Sequence, residues 1–120
     1  MSAVRNILFI MADQLRWDYL SYAGHPTLPT PNIDALAARG VNFNRTYCQS
    51  PICGPSRMSF YTGRYMFTHG STWNAVPLNV GEWTMGDYLR PLGVRTVLVG
   101  KTHFAPDVEG MMRLGIDPSS

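Results

Sequence analysis

Ile7-Leu8-Phe9-Ile10-Met11-Ala12, followed at once by Asp13-Gln14, is the stretch on which the fold turns. Six consecutive apolar residues with three β-branched or aromatic members among them, Ile7, Phe9 and Ile10, form too short a run for a long helix. They read as a strand buried on both faces, the kind found in parallel sheets. Near the other end, Arg95 to Gly100 contains Val97-Leu98-Val99, a second run of the same type, followed by Lys101-Thr102-His103. In open α/β sheets ligands bind outside the carboxyl ends of the strands. Asp13-Gln14 and Lys101-Thr102-His103 are therefore the two places where this sequence invites a site.

Helix signals fill the space between. Thr30-Pro31-Asn32 is a helix start, with Thr30 as cap and Pro31 in the first turn. Ile33, Leu36 and Ala37 then share a face, and Gly40 is placed to end the helix in the left-handed conformation. Val41 to Gln49 alternates and reads as a half-buried strand or extended segment. A turn over 51–55 leads into a short helix that has Pro55 in its first turn, runs to about Thr62 and stops at Gly63. Thr84 and Asp87 resemble a capping box for a helix carrying Met85, Tyr88 and Leu89, which Pro91 must distort or end. The alternation of strands and helices predicts an α/β layer architecture.

Composition excludes several classes. The chain has 120 residues, 45% hydrophobic and 15% charged, which suits one small core-forming domain. A net charge of +2, with no basic run, gives no pull toward nucleic acid or an acidic membrane surface. The run from Ile7 to Ala12 is too short to span a bilayer. No signal-peptide pattern is visible, so the expected location is cytoplasmic. There Cys48 and Cys53 are not expected to form a structural disulfide. Their C-x4-C spacing is a weak zinc signal because no second pair accompanies it.

Cys53 stands just before a predicted helix N-terminus, where the backbone N–H groups favour anions and a thiol gains reactivity. Arg57 lies one helical turn further, so its planar fork can face the same anion. Lys101 and His103, two apart in an extended segment, point the same way; one offers fixed charge and the other proton transfer. Asp13, after six apolar residues, needs a partner or a cation. Each residue alone has an ordinary structural explanation. His25 and His69 lack comparable company and are assigned no role.

The segment Cys53-Gly54-Pro55-Ser56-Arg57 matches the sulfatase signature C-x-P-S-R, and Thr62-Gly63 completes its longer form. Asn6 to Asp13 resembles the family's opening strand and metal-binding acid. Residues 30–34, Thr-Pro-Asn-Ile-Asp, resemble its first helix start, and Gly100-Lys101-Thr102-His103 its G-K-x-H motif. The resemblance runs from Asn6 to about Asp107. It implies an alkaline-phosphatase-like α/β fold, with a central, largely parallel sheet between helices. Residues 1–120 would be the N-terminal part of a sulfatase catalytic domain.

The resemblance further implies that Cys53 is oxidised to formylglycine by a formylglycine-generating or anaerobic sulfatase-maturing enzyme. The hydrated aldehyde, beside one divalent cation, then attacks a small anionic sulfate ester. Calcium is the first expectation for the cation, with manganese or zinc as alternatives. Asp13, Gln14 and residue 53 would be metal ligands. Arg57 would steady formylglycine and the anion, Lys101 would bind and neutralise the ester, and His103 would assist proton transfer.

Two departures qualify that expectation. Gln14 stands where typical sulfatases have a second acid, which removes a charge from the metal site. The Asp-Gln pair resembles choline sulfatases and phosphonate monoester hydrolases. In the latter an asparagine matching Asn74 lies in the site, but those hydrolases generally lack the Lys and His present here. A sulfatase between the two branches is the leading expectation, with phosphonate monoester or phosphodiester hydrolysis as the alternative. The second departure is length. The family's remaining ligands lie well beyond this chain, and Asp107, Glu109 and Asp117 cannot supply them all. The 120 residues alone are thus expected to be inactive, and oligomerisation of a longer form is left open.

Overall fold

The computed structural model describes residues 4–105. The chain divides into two compact units, Met1–Thr46 and Tyr47–Ser120. Asp107, Glu109 and Asp117 lie outside the described residues.

In the first unit, two short 3-10 turns, Trp17–Tyr19 and Ser21–Ala23, precede helix α1, Pro31–Arg39. Pro31 begins the helix as its fixed φ favours. Thr30 stands at the cap position, but its hydroxyl does not cap the helix. It donates instead to Asp34 Oδ1 at 2.9 Å and accepts the Ser21 N–H at 3.0 Å. Ser21 Oγ also donates to Asp34, and the Tyr22 N–H reaches Asp34 Oδ1 at 3.2 Å. These hydrogen bonds, the Ser21 one foremost, hold the Asp34 carboxyl below its ordinary pKa. This knot fastens the 3-10 turn to α1 and takes the hydroxyl away from the helix amides. Gly40 corrects a second expectation: it leaves the helix in extended backbone, φ −115° and ψ −162°, not in the left-handed region. One N–H bond to the Ala37 carbonyl at 3.3 Å closes the helix end.

The second unit contains α2, Cys53–Thr62; α3, Met66–His69; and α4, Met85–Leu89, which runs into a 3-10 turn at Arg90–Leu92. Helix α2 has Pro55 in its first turn and ends at Gly63, whose φ of 67° is open to glycine at little cost. The one-turn helix α3 was not expected from the sequence. The capping box of α4 is present, with the Thr84 N–H on Asp87 Oδ2 at 2.9 Å and Thr84 Oγ1 on the same oxygen at 2.8 Å. Pro91 tightens the chain into the 3-10 turn, as its missing N–H requires.

Among the described residues the core of this unit is small. Met58, Tyr61 and Leu78 are buried, with Phe60 and Met85 packed against them. A polar cluster joins α2 to α3: Ser59 Oγ lies 2.9 Å from His69 Nε2, and His69 Nδ1 accepts the Ser71 N–H at 3.2 Å. His69 is fully buried, and that burial lowers its pKa. Arg64 pairs with Glu82 through both carboxylate oxygens.

The expected strands are not paired strands here. Among the described residues no strand ladder is present. Ile7 is 88% exposed and Val99 91% exposed. Residues 41–49 form no strand, and Val41, Phe43 and Tyr47 are exposed. A strand of the doubly buried type exists only within a sheet whose faces are covered by helices. The α/β sheet is therefore not formed by these residues.

Candidate active site

Helix α2 begins at Cys53 itself, so the thiol is on the first helical residue and not just before it. The residue ahead of it, Ile52, has no side chain able to cap. A helix start leaves its first amides without internal acceptors. Pro55 has no N–H to satisfy, and the Ser56 N–H already reaches the Ile52 carbonyl at 3.1 Å. The Gly54 N–H is met from outside the helix: Asn74 Oδ1 accepts it at 2.9 Å. The same oxygen lies 3.4 Å from Cys53 Sγ, in position to accept the S–H. Cys53 is half-buried and Cys48 exposed, and both sulfurs are free thiols.

Arg57 is 7% exposed, one turn along α2 from Cys53. Its Nη1 donates to the Lys101 carbonyl oxygen at 2.7 Å. That bond brings the segment Lys101-Thr102-His103 to the helix that carries the thiol. Phe104 fastens the segment again by stacking on Tyr61, ring centroids 5.1 Å apart and 14° from parallel. The Lys101 side chain is exposed. His103 is half-buried with φ 60°, a region costly for a residue with a Cβ. Its Nδ1 is shielded from solvent and has no hydrogen-bond partner among the described residues. A strained histidine with an orphaned ring nitrogen is how a group held ready for a ligand looks.

Asp13 and Gln14 occupy a bend in the first unit, directly after the exposed run of residues 7–12. Among the described residues no three His, Cys, Asp or Glu side chains come together as a metal centre would need. Hard cations of the calcium type take six or more oxygens. The adjacent carboxylate and amide of Asp13 and Gln14 fit part of such a set, and no more.

The second unit thus joins Cys53 to Asn74 and Arg57 to Lys101. Sequence reasoning missed Gly54. A Cβ there would lie 2.7 Å from Asn74 Oδ1 and 3.3 Å from the Asn74 Cα, so only glycine leaves room for the asparagine. The signature itself hides this, because it leaves that position open.

The sulfatase family model matches residues 5–117. The chain is 40% identical over 98 residues to an ulvan-active sulfatase of Formosa agariphila, which covers 82% of this chain and 19% of that protein. It is 35% identical over 108 residues to the multifunctional alkaline phosphatase superfamily protein PehA of Trinickia caryophylli, covering 86% of this chain and 21% of that protein. Human arylsulfatase D is 41% identical over 111 residues, covering 82% of this chain and 18% of that protein. The chain belongs to the sulfatase family, within the alkaline phosphatase superfamily. It spans about a fifth of the length of these relatives.

Proposed function

We propose that the protein carrying this chain hydrolyses sulfate esters, with residue 53 as nucleophile after Cys53 is converted to formylglycine by a maturing enzyme. The observation that carries this reading is the coupling of α2 to the Lys101–His103 segment. A half-buried thiol opens the helix, an arginine follows one turn later, and that arginine holds the main chain at Lys101, two residues before His103, by a 2.7 Å hydrogen bond. Relatives whose names state sulfatase activity add support.

In this reading a divalent cation, calcium first, and the hydrated aldehyde together supply a nucleophilic oxygen at neutral pH. Asp13 and Gln14 contribute part of the oxygen set that holds the cation, and the longer protein contributes the rest. Arg57 is fixed by its bond to the Lys101 carbonyl and supplies positive charge toward the small anionic ester. Lys101 neutralises charge on the sulfate group. His103 donates a proton to the departing alcohol oxygen or takes one back. Asn74 has one end of its amide engaged with α2, and its NH2 end is the part left to meet substrate. Residues 7–12 and 95–100 become strands of a largely parallel sheet in the complete α/β domain, which covers their exposed apolar faces.

The test is chemical. Intact protein from its native host is treated with an aldehyde-reactive hydrazide, and the label is mapped by mass spectrometry. Label at position 53 in protein that turns over an aryl sulfate is expected. An unmodified thiol at Cys53 in fully active protein overturns the reading.

A further inference from the structure

We infer that Asn74 is a positioning residue for the side chain at position 53, acting as a cap supplied from a distant loop for the helix that carries it. This deepens the reading above and rests on it for its catalytic meaning. The physical case begins with the helix. A cap usually comes from the residue just before the first turn, whose side-chain oxygen accepts an early amide. Ile52 holds that position and has no oxygen to offer. Asn74, 20 residues after Gly54, supplies the missing acceptor at 2.9 Å. Its oxygen has two lone pairs. The second direction is taken by Cys53 Sγ at 3.4 Å. One atom therefore sets the start of α2 and the direction of the residue-53 side chain.

Gly54 is the other half of the device. An added Cβ would fall 2.7 Å from the amide oxygen and 3.3 Å from the Asn74 Cα. The second distance involves backbone, so rotating the amide away would not relieve it fully. Gly54 and Asn74 act as a pair: the glycine admits the asparagine, and the asparagine holds residue 53. After conversion of the thiol, a hydroxyl of the hydrated aldehyde can donate to Oδ1 where the S–H now does. The hydrate is then held in one orientation.

The experiment uses intact protein made without its maturing enzyme, so that Cys53 remains a thiol. Cys48 is replaced by serine, and the rate of Cys53 alkylation by iodoacetamide is measured. Loss of one ordinary hydrogen bond corresponds to about a fivefold effect. Asn74→Ala is expected to raise the alkylation rate by about that factor, whereas Asn74→Asp, which keeps an acceptor oxygen, stays at or below the parent rate. Gly54→Ala, with Asn74 intact, is expected to raise the rate as Asn74→Ala does, and provides the reading should Asn74→Ala fail to fold. Parent-like alkylation in Asn74→Ala, or in Gly54→Ala if that is the variant that folds, overturns the inference and leaves Asn74 as a substrate contact only. Because no turnover is measured, protein that shows the expected pattern yet hydrolyses no sulfate ester would sink the proposed function and leave the positioning role standing.

Discussion

Arg57 and Lys101 are joined through the main chain: the guanidinium donates from Nη1 to the Lys101 carbonyl oxygen at 2.7 Å, across 44 residues of sequence. The bond makes the arginine of the signature a structural tie as well as a charge. Hydrogen bonds from charged groups contribute about 1.5–3 kcal/mol. Arg57→Ala should therefore lower stability by about 2 kcal/mol as well as abolish turnover. Arg57→Lys keeps the charge but loses the planar fork, and should recover little of either. Urea unfolding of the intact protein, read beside aryl sulfate hydrolysis, checks both. A variant with parent stability would show that the tie carries no weight.

His69 gives the fold a dependence on pH. Its Nδ1 accepts the Ser71 N–H, so the ring proton sits on Nε2 and faces Ser59 Oγ. Burial lowers its pKa, with Glu82 acting weakly in the opposite direction and Arg64 weakly in the same one. A histidine held neutral in the fold binds its proton more readily when unfolded. Its stabilising contribution is complete above the ordinary value of about 6.5 and is lost as pH falls from there toward the lowered folded value. The denaturation midpoint should drop between pH 7.5 and pH 5. In His69→Gln, which retains a donor for Ser59 but does not titrate, the drop should shrink even though the variant is weaker overall. An unchanged pH slope in that variant would assign the effect to another group.

The helices were legible because their signals are local. Thr84 with Asp87, Pro31, Pro55 and Gly63 each act within one turn of the chain, and each is found where the pattern requires it. Gly40 was misread because a glycine permits the left-handed region without demanding it. Helix α3, at four residues, is about one turn, so no period can repeat within it to announce it. The runs around Ile7 and Val99 have the composition of buried strands, but a strand is completed by neighbours, and the described residues form no ladder. The site divides in the same way. Cys53 and Arg57 are close in sequence and were readable as a unit, whereas the Arg57–Lys101 and Gly54–Asn74 ties join distant residues that no local pattern links.

The capping box of α4 offers a test of the local signals alone. Thr84 supplies its N–H and its hydroxyl to one oxygen of Asp87, which holds that carboxyl below its ordinary pKa. Replacing a threonine cap by alanine costs about 1 kcal/mol. Thr84→Ala should lower the urea midpoint by the corresponding amount and leave sulfate ester hydrolysis per folded molecule unchanged. A loss of activity greater than the loss of folded protein would mean that α4 has a role in the site.

Under the proposed function, Lys101 and His103 bear on which ester is preferred. A sulfate monoester carries one negative charge, and its leaving oxygen gains charge in the transition state. A cation beside the sulfate group and a proton donor at the leaving oxygen act where that charge develops. His103 has the features of a poised group, with a strained φ of 60° and a shielded Nδ1 that meets no partner among the described residues. Proton transfer by such a group contributes at least about a hundredfold. In the intact protein, His103→Ala should cut kcat/KM for an aryl sulfate by about that factor or more, and Lys101→Ala should act in the same direction. A phosphonate monoester or phosphodiester with an activated phenol leaving group needs the proton less and should lose less. The comparison is kcat/KM for the two substrate types in each variant. Equal losses would remove the support for sulfate as the preferred ester, and a selective loss on the diester would reverse the assignment.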